Sequence, residues 1–241
     1  MTNFSAIKNV HFIGIGGTGM NGLAQLAIHN NFNVSGSDRK YNPSLSPYKE
    51  LEKLGIKIFF DDGSYEISKN TLVVFSSAIE LNNEDLIKAD KNNLKKLHRI
   101  DFLKELIPKD AEIIAITGTA GKTTTTGLLS WIFENHNLNP SVYCGAGILN
   151  WKRNGNLGNI KFGNSKLWII ESDESDKSLL KINPTHSIIT NIGNDHLSKK
   201  ELKKVFKKFQ QQTKKIHQKE IDIENKKINF NTNLIGEHNQ D

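Results

Sequence analysis

With 241 residues, 37% apolar side chains and a formal net charge of +6, the chain has room for one large or two small domains with cores of their own. Its single cysteine, Cys144, excludes a disulfide framework and a Cys-x-x-Cys metal site. No run approaches the roughly 18 apolar residues of a membrane span and the N-terminal apolar run is too short for a secretion signal, so a soluble, cytoplasmic protein without a membrane partner is expected.

Val10–Ile15 reads as a buried strand. It runs into Gly14, Gly16, Gly17 and Gly19, then into a helical pattern through Met20, Leu23, Ala24 and Ala27. The glycines fit Gly-x-Gly-x-x-Gly, a weak signal alone. A second strand, starting at Phe32–Val34, ends in Asp38, where a dinucleotide fingerprint wants its acid. A nicotinamide oxidoreductase and a tight turn without ligand both stay open for this half. Residues 51–63 read as helix, strand and turn, residues 71–79 as a strand holding Ser76 and Ser77, and residues 83–93 as a helix. Such alternation implies a parallel, doubly wound sheet. Pro108, Lys109 and Asp110 read as a linker.

The pattern then restarts. Ile113–Thr117 is a predicted strand and Thr123–Asn135 a helix, joined by Gly118-Thr119-Ala120-Gly121-Lys122-Thr123. This is the context of a phosphate loop, although only two residues separate its glycines. Backbone N–H groups can close on phosphate oxygens there, and the helix N-terminus favours negative charge. Lys122 would reach the β- and γ-phosphates and the Thr123 hydroxyl would hold Mg²⁺. An ordinary strand–helix turn is the alternative. Residues 167–172 and 186–192 are further strands. The first ends in Glu171, Asp173, Glu174 and Asp176, which repel one another unless a cation or basic groups stand nearby. Mg²⁺ is the expected cation, and a solvated acidic loop the alternative. The second ends near Asn191, Asp195 and His196, and in open α/β sheets ligands gather at such carboxyl ends.

Residues 199–227 hold eleven lysines against Glu201, Glu220, Asp222 and Glu224. Leu202, Val205, Phe206 and Phe209 recur there at helical spacing, so a solvated lysine face on a packed helix is expected rather than a nucleic-acid stripe. No aromatic residues interleave to stack bases, and no nucleic-acid partner is expected.

Seven stretches, "HFIGIGGTGMNGLA" (11–24), "VSGSD" (34–38), "FSSAI" (75–79), "ITGTAGKTTTT" (116–126), "IIESDESDKSLL" (169–180), "TNIGNDHL" (190–197) and "GEHN" (236–239), together resemble the Mur ligase family in order and spacing over most of residues 10–198. The resemblance implies an α/β protein with a Rossmann-like, UDP-substrate-binding domain at 1–108 and a phosphate-loop central domain at 109–241. It also implies an ATP- and Mg²⁺-dependent amide ligase of peptidoglycan synthesis, nearest the branch that joins L-alanine to UDP-N-acetylmuramate through an acyl phosphate. Carried over by motif, Gly118, Thr119, Ala120, Gly121, Lys122, Thr123, Thr124 and Asn239 belong to the ATP site. Thr123, Glu171 and His196 would hold metal, with Lys122, Glu171 and His196 catalytic. Gly14, Gly16, Gly17, Gly19, Asp38, Ser76 and Ser77 would bind the UDP part of the substrate.

Two departures stand out. Ala120 replaces a histidine usual in this branch, a change the backbone cradle tolerates. The family also predicts a longer chain, for only 38 residues (198–235) separate the last two motifs. The central domain is therefore expected to be shortened, with an irregular basic tail over 199–235, and the C-terminal domain to be absent. Weak or absent ligation follows, and with it the alternatives of a nucleotide- or UDP-sugar-binding module or half of a split ligase paired with a separate C-terminal domain.

Overall fold

The computed structural model describes residues 7–153, 155–175, 177–192, 199–214 and 216–217. Two sheets, the first parallel and the second parallel but for one pair, follow one another along the chain, each with helices packed on it, as the alternating pattern predicts.

The first sheet contains β1 (Asn9–Ile13), β2 (Asn33–Ser37), β3 (Lys57–Phe59), β4 (Thr71–Phe75) and β5 (Lys96–His98), in the order β3-β2-β1-β4-β5. Strand β1 lies between β2 and β4, so the chain reverses direction across the sheet at its carboxyl end, the place where such sheets bind ligands. Its side chains alternate between two cores. Val10 and Phe12 pack with Leu23, Leu26 and Phe102 from helices α1 (Thr18–His29) and α4 (Arg99–Leu106). Ile13 packs with Val73, Leu86 and Ala89, below α3 (Glu84–Lys91). Burial on both faces explains the near-continuous apolar run. Strand β4 ends at Phe75, short of the predicted Ile79, because residues 76–79 close a turn through Ile79 N–H to Ser76 O at 3.0 Å.

His11 is the buried polar residue of β1. It is fully buried, its ring nitrogens 2.9 and 3.3 Å from the Ser35 and Ser37 hydroxyls, and it stacks on Tyr65. Burial lowers its pKa to about 4.

The second sheet contains β6 (Glu112–Thr117), β7 (Ser141–Tyr143), β8 (Ile160–Lys161), β9 (Leu167–Glu171), β10 (His186–Ile189) and β11 (Ile216–His217), in the order β11-β10-β6-β9-β7-β8. Among the described residues only the β7–β8 pair is antiparallel. Central β6 aligns Ile116 with Glu171 and Thr117 with Ile189, which puts the ends of β6, β9 and β10 at one rim. One face carries α5 (Lys122–Asn135), the other α6 (Lys199–Gln211). Helix α6 buries Leu202, Val205, Phe206 and Phe209 while Lys203, Lys204, Lys207 and Lys208 stay exposed. The helix with a solvated lysine face expected from that spacing is present, and the irregular tail expected over 199–235 is corrected for residues 199–211: apolar residues at helical spacing have a sheet face to cover.

Helix α1 joins the two sheets. Its Leu23 and Leu26 share a core with Tyr143, Leu157 and Ile160 of the second unit. Asn159, 1% exposed, lies against it. The Asn159 amide donates to Thr18 O (2.7 Å) and Asn21 Oδ1 (2.6 Å), and its Oδ1 accepts from Gln25 Nε2 (3.0 Å). Gln25 Oε1 then accepts from Leu157 N–H at 3.1 Å. Tyr143 donates to Gly19 O at 2.8 Å, and Lys181 pairs with Asp101 at 2.6 Å.

Two stability outcomes follow. Asn159→Ala takes the donor from the buried Asn21 Oδ1 and from Thr18 O, and one of two acceptors from Gln25 Nε2, and should cost about 2 kcal/mol in urea unfolding. His11 is neutral when folded but protonates near pH 6.5 when unfolded, so its contribution is full above pH 6.5 and is lost as pH falls toward 4. Between pH 7 and pH 5 it should account for about 2 kcal/mol of lost stability, a component that His11→Gln removes.

Candidate functional site

At the end of β1 the chain turns through Gly14, in the left-handed region at φ +76°. Gly14 and Ile15 N–H both donate to Ser37 O, at 2.8 and 3.0 Å, which pins the loop to β2. Gly16 N–H donates to Asp38 Oδ2 at 2.8 Å. A Cβ on Gly16 would lie 2.4 Å from Tyr48 Oη and 2.8 Å from Asp38 Oδ2, so only glycine lets these groups meet. Tyr48, the first residue of α2 (Tyr48–Lys53), hydrogen-bonds Asp38, and its phenol pKa is raised by burial and by the Asp38 charge. Helix α1 starts at Thr18 with no side-chain cap and no acid in its first turn, leaving its N–H groups suited to an anion.

These groups border a cavity of about 580 Å³. Of the residues predicted to bind UDP, Gly14, Gly17, Gly19, Asp38, Ser76 and Ser77 line it, while Gly16 acts through Asp38. Among the lining residues absent from that prediction are Arg99 at the start of α4, and Asp173 and Ser175 from beyond β9. Arg99 Nη2 is 3.8 Å from Asp173 Oδ2, and a Cβ on Gly19 would lie 2.7 Å from Arg99 Nη1. The available hint was compositional, since Arg99 is one of only three arginines in a lysine-rich chain.

The second candidate lies at the rim of the other sheet. After β6 the chain passes through Gly118 (φ +132°) and Gly121 (φ +81°), and Gly121 caps α5 without a side-chain hydrogen bond. A Cβ on Gly118 would lie 2.2 Å from Thr190 Oγ1. The loop is stitched to the segment after β10: Ala120 N–H donates to Asn191 Oδ1 (2.9 Å), Thr119 N–H to Asn191 O (3.3 Å) and the Thr190 hydroxyl to Ala120 O (2.5 Å). These bonds end β10 at Ile189, short of the predicted residue 192. Ala120 contributes through its backbone, with its side chain exposed, and Thr124 is exposed in the first turn of α5.

Lys122, Thr123 and Glu171 are brought together. Thr123 Oγ1 donates to Glu171 Oε1 at 2.9 Å, and Glu171 Oε2 accepts from Gly145 N–H at 2.7 Å. Lys122 Nζ donates to Gly118 O (2.7 Å) and to both oxygens of Glu174 (2.9 and 3.2 Å). The Cys144 thiol lies 3.6 Å from Glu171, and burial, reinforced by that carboxylate, pushes its pKa up to about 11. Among the described residues no group of three His, Cys, Asp or Glu side chains forms a metal cluster. Thr123 and Glu171 do supply two adjacent oxygen donors, the chemistry a hard divalent cation takes. Asp176, Asp195, His196 and Asn239 lie outside the described residues.

The segment after β9 serves both places. Glu171 and Glu174 face the Gly118–Thr123 loop, while Asp173 and Ser175 line the glycine-rich cavity.

Residues 9–110 match the family described as Mur ligase family, catalytic domain, and residues 116–219 match the Mur ligase middle domain. The UDP-N-acetylmuramate–L-alanine ligase of Wolbachia sp. subsp. Brugia malayi is 41% identical over 199 residues, covering 82% of this chain and 35% of that protein. The same enzyme of Pelagibacter ubique is 42% identical over 204 residues, covering 83% and 42%. Among solved structures, UDP-N-acetylmuramate–alanine ligase MurC from Thermotoga maritima superposes with a TM-score of 0.75 at 28% identity, over 86% of this chain and 47% of that one. The chain thus spans 35–42% of the length of these two sequence relatives.

The buried Cys144 should be slow toward Ellman's reagent. At pH 8 its thiolate fraction is roughly 10²-fold below that of an ordinary cysteine. A rate in folded protein equal to that in urea would contradict this environment.

Proposed function

The chain belongs to the Mur ligase family, and on that premise we propose that it carries the UDP-substrate and ATP sites of the ligase that joins L-alanine to UDP-N-acetylmuramate in peptidoglycan synthesis. One observation carries the reading. The five residues from Glu171 to Ser175 border both the Gly118–Thr123 loop and the glycine-rich cavity, so a triphosphate at one and a UDP-linked acid at the other would meet at the end of β9.

The chemistry needs this meeting. A carboxylate resists attack by an amine. Transfer of the γ-phosphoryl group of ATP to a carboxylate oxygen gives an acyl phosphate and ADP. The amine nitrogen then attacks the carbonyl carbon, loses a proton and expels inorganic phosphate. In this reading Gly14, Gly17, Gly19, Ser76, Ser77 and the N-terminus of α1 hold the UDP part of the substrate, with Asp38 fixed by Gly16 and Tyr48. The N-terminus of α5, left without a side-chain cap by Gly121, receives phosphate oxygens. Lys122 offsets their charge. Thr123 and Glu171 would hold Mg²⁺, which neutralises phosphate charge; His196 is proposed as a ligand from its motif, as Asn239 is for the adenine. Arg99, fixed by Asp173, adds positive charge where the two sites meet.

The amide-forming step requires water to be kept from the acyl phosphate, a task for a closing domain.

Calorimetry with Mg²⁺–ATP and with UDP-N-acetylmuramate tests the sites, and phosphate release dependent on both UDP-N-acetylmuramate and L-alanine tests the full reaction. Lys122→Ala should weaken ATP binding roughly 10- to 100-fold by removing a charge-assisted contact, with little effect on the UDP ligand. Gly118→Ala should weaken ATP binding as well, since its Cβ collides with Thr190 and crowds the Asn191 backbone. Absence of binding to either ligand by the folded chain would sink the proposal.

A further inference from the structure

The ammonium of Lys122 has three hydrogens, and the structure shows where they point. Gly118 O accepts at 2.7 Å, the Glu174 carboxylate at 2.9 and 3.2 Å, and Thr119 O at 3.4 Å. The Lys122–Glu174 pair is largely out of water, with side-chain exposures of 17% and 5%. Glu174 is itself held in a turn, its carbonyl accepting from Lys177 N–H at 3.1 Å. A phosphate oxygen reaching Lys122 must therefore displace one of these acceptors, and the one that carries full negative charge is Glu174.

We propose that Glu174 is a positioning residue that competes with the nucleotide's phosphates for Lys122, keeping the lysine laid across the Gly118–Thr123 loop and yielding it when the triphosphate binds. The inference rests on the ATP reading given above and adds a residue to it. Two anions sharing one ammonium stand about 5 Å apart, a separation at which like charges in partly screened surroundings weaken binding about tenfold. Glu171 is exempt from this competition because its oxygens are directed to the Thr123 hydroxyl and Gly145 N–H rather than to Lys122.

The test is Glu174→Gln in the full chain. The glutamine keeps an acceptor for Lys122 and removes the charge. The non-hydrolysable analogue AMP-PNP, titrated with Mg²⁺ by calorimetry, should bind E174Q about tenfold more tightly than wild type. UDP-N-acetylmuramate affinity should be unchanged, and thermal stability without nucleotide should be unchanged or lower. A purely structural role for Glu174 would lower AMP-PNP affinity and stability together, so equal or weaker binding by E174Q overturns the inference. A crystal structure of the wild-type chain with AMP-PNP provides the second measurement. It should show Lys122 Nζ on phosphate and more than about 4 Å from Glu174, and an intact pair beside bound phosphate would overturn the proposal. No AMP-PNP binding by either protein would instead remove the nucleotide reading itself, and this inference with it.

Discussion

The fixed seat of α1 against the second sheet is the constraint on which the rest of the structure depends. The two glycine-rich loops belong to different sheets, and their separation is decided by this one helix. Its N-terminus forms a wall of the cavity, and its body packs against Leu157 and Ile160. Apolar packing alone would tolerate sliding. The Asn159 side chain does not, because its amide and carbonyl are matched to Thr18, Asn21 and Gln25, and a small shift would strand buried polar groups. The Tyr143 hydroxyl on Gly19 O ties the same helix start to β7, which pairs directly with β9. A short, stiff path therefore connects the first glycine loop to Glu171.

That path gives the acidic segment its meaning. Crowded carboxylates demand compensation, and a metal ion is one source of it. Here the protein supplies most of it. Glu171 accepts from Thr123 and Gly145, Asp173 faces Arg99 and accepts from Ser175 N–H, and Glu174 binds Lys122. The carboxylates are thereby sorted by direction. Glu171 and Glu174 serve the loop before α5, and Asp173 serves the cavity bordered by α1. One strand end can then present chemistry to two ligands without a change of backbone.

Local signals in the sequence carried much of this. The apolar runs marked β1, β4, β6, β9 and β10, and glycines at strand ends marked both loops. The i, i+3, i+4, i+7 spacing of Leu202, Val205, Phe206 and Phe209 anticipated α6. Strand ends were overestimated at Ile79 and Ile192, where turn and loop hydrogen bonds outcompete the ladder. What stayed hidden depends on pairs distant in the chain. Asn159 meets Gln25 across 134 residues, and Lys122 meets Glu174 across 52. No spacing rule links such residues: the Lys122–Glu174 pair exists only once β6 and β9 have paired, and the Asn159–Gln25 pair only once the two sheets have docked. Arg99 escaped for the same reason, since its place beside Asp173 depends on α4 of the first unit facing the end of β9.

Native mass spectrometry of the chain with AMP-PNP, Mg²⁺ and UDP-N-acetylmuramate tests the central claim most directly, that two adjacent and separate sites share the end of β9. The predicted result is a ternary complex holding one copy of each ligand. Mutual displacement, with each ligand expelling the other and no ternary species at saturation, would contradict it.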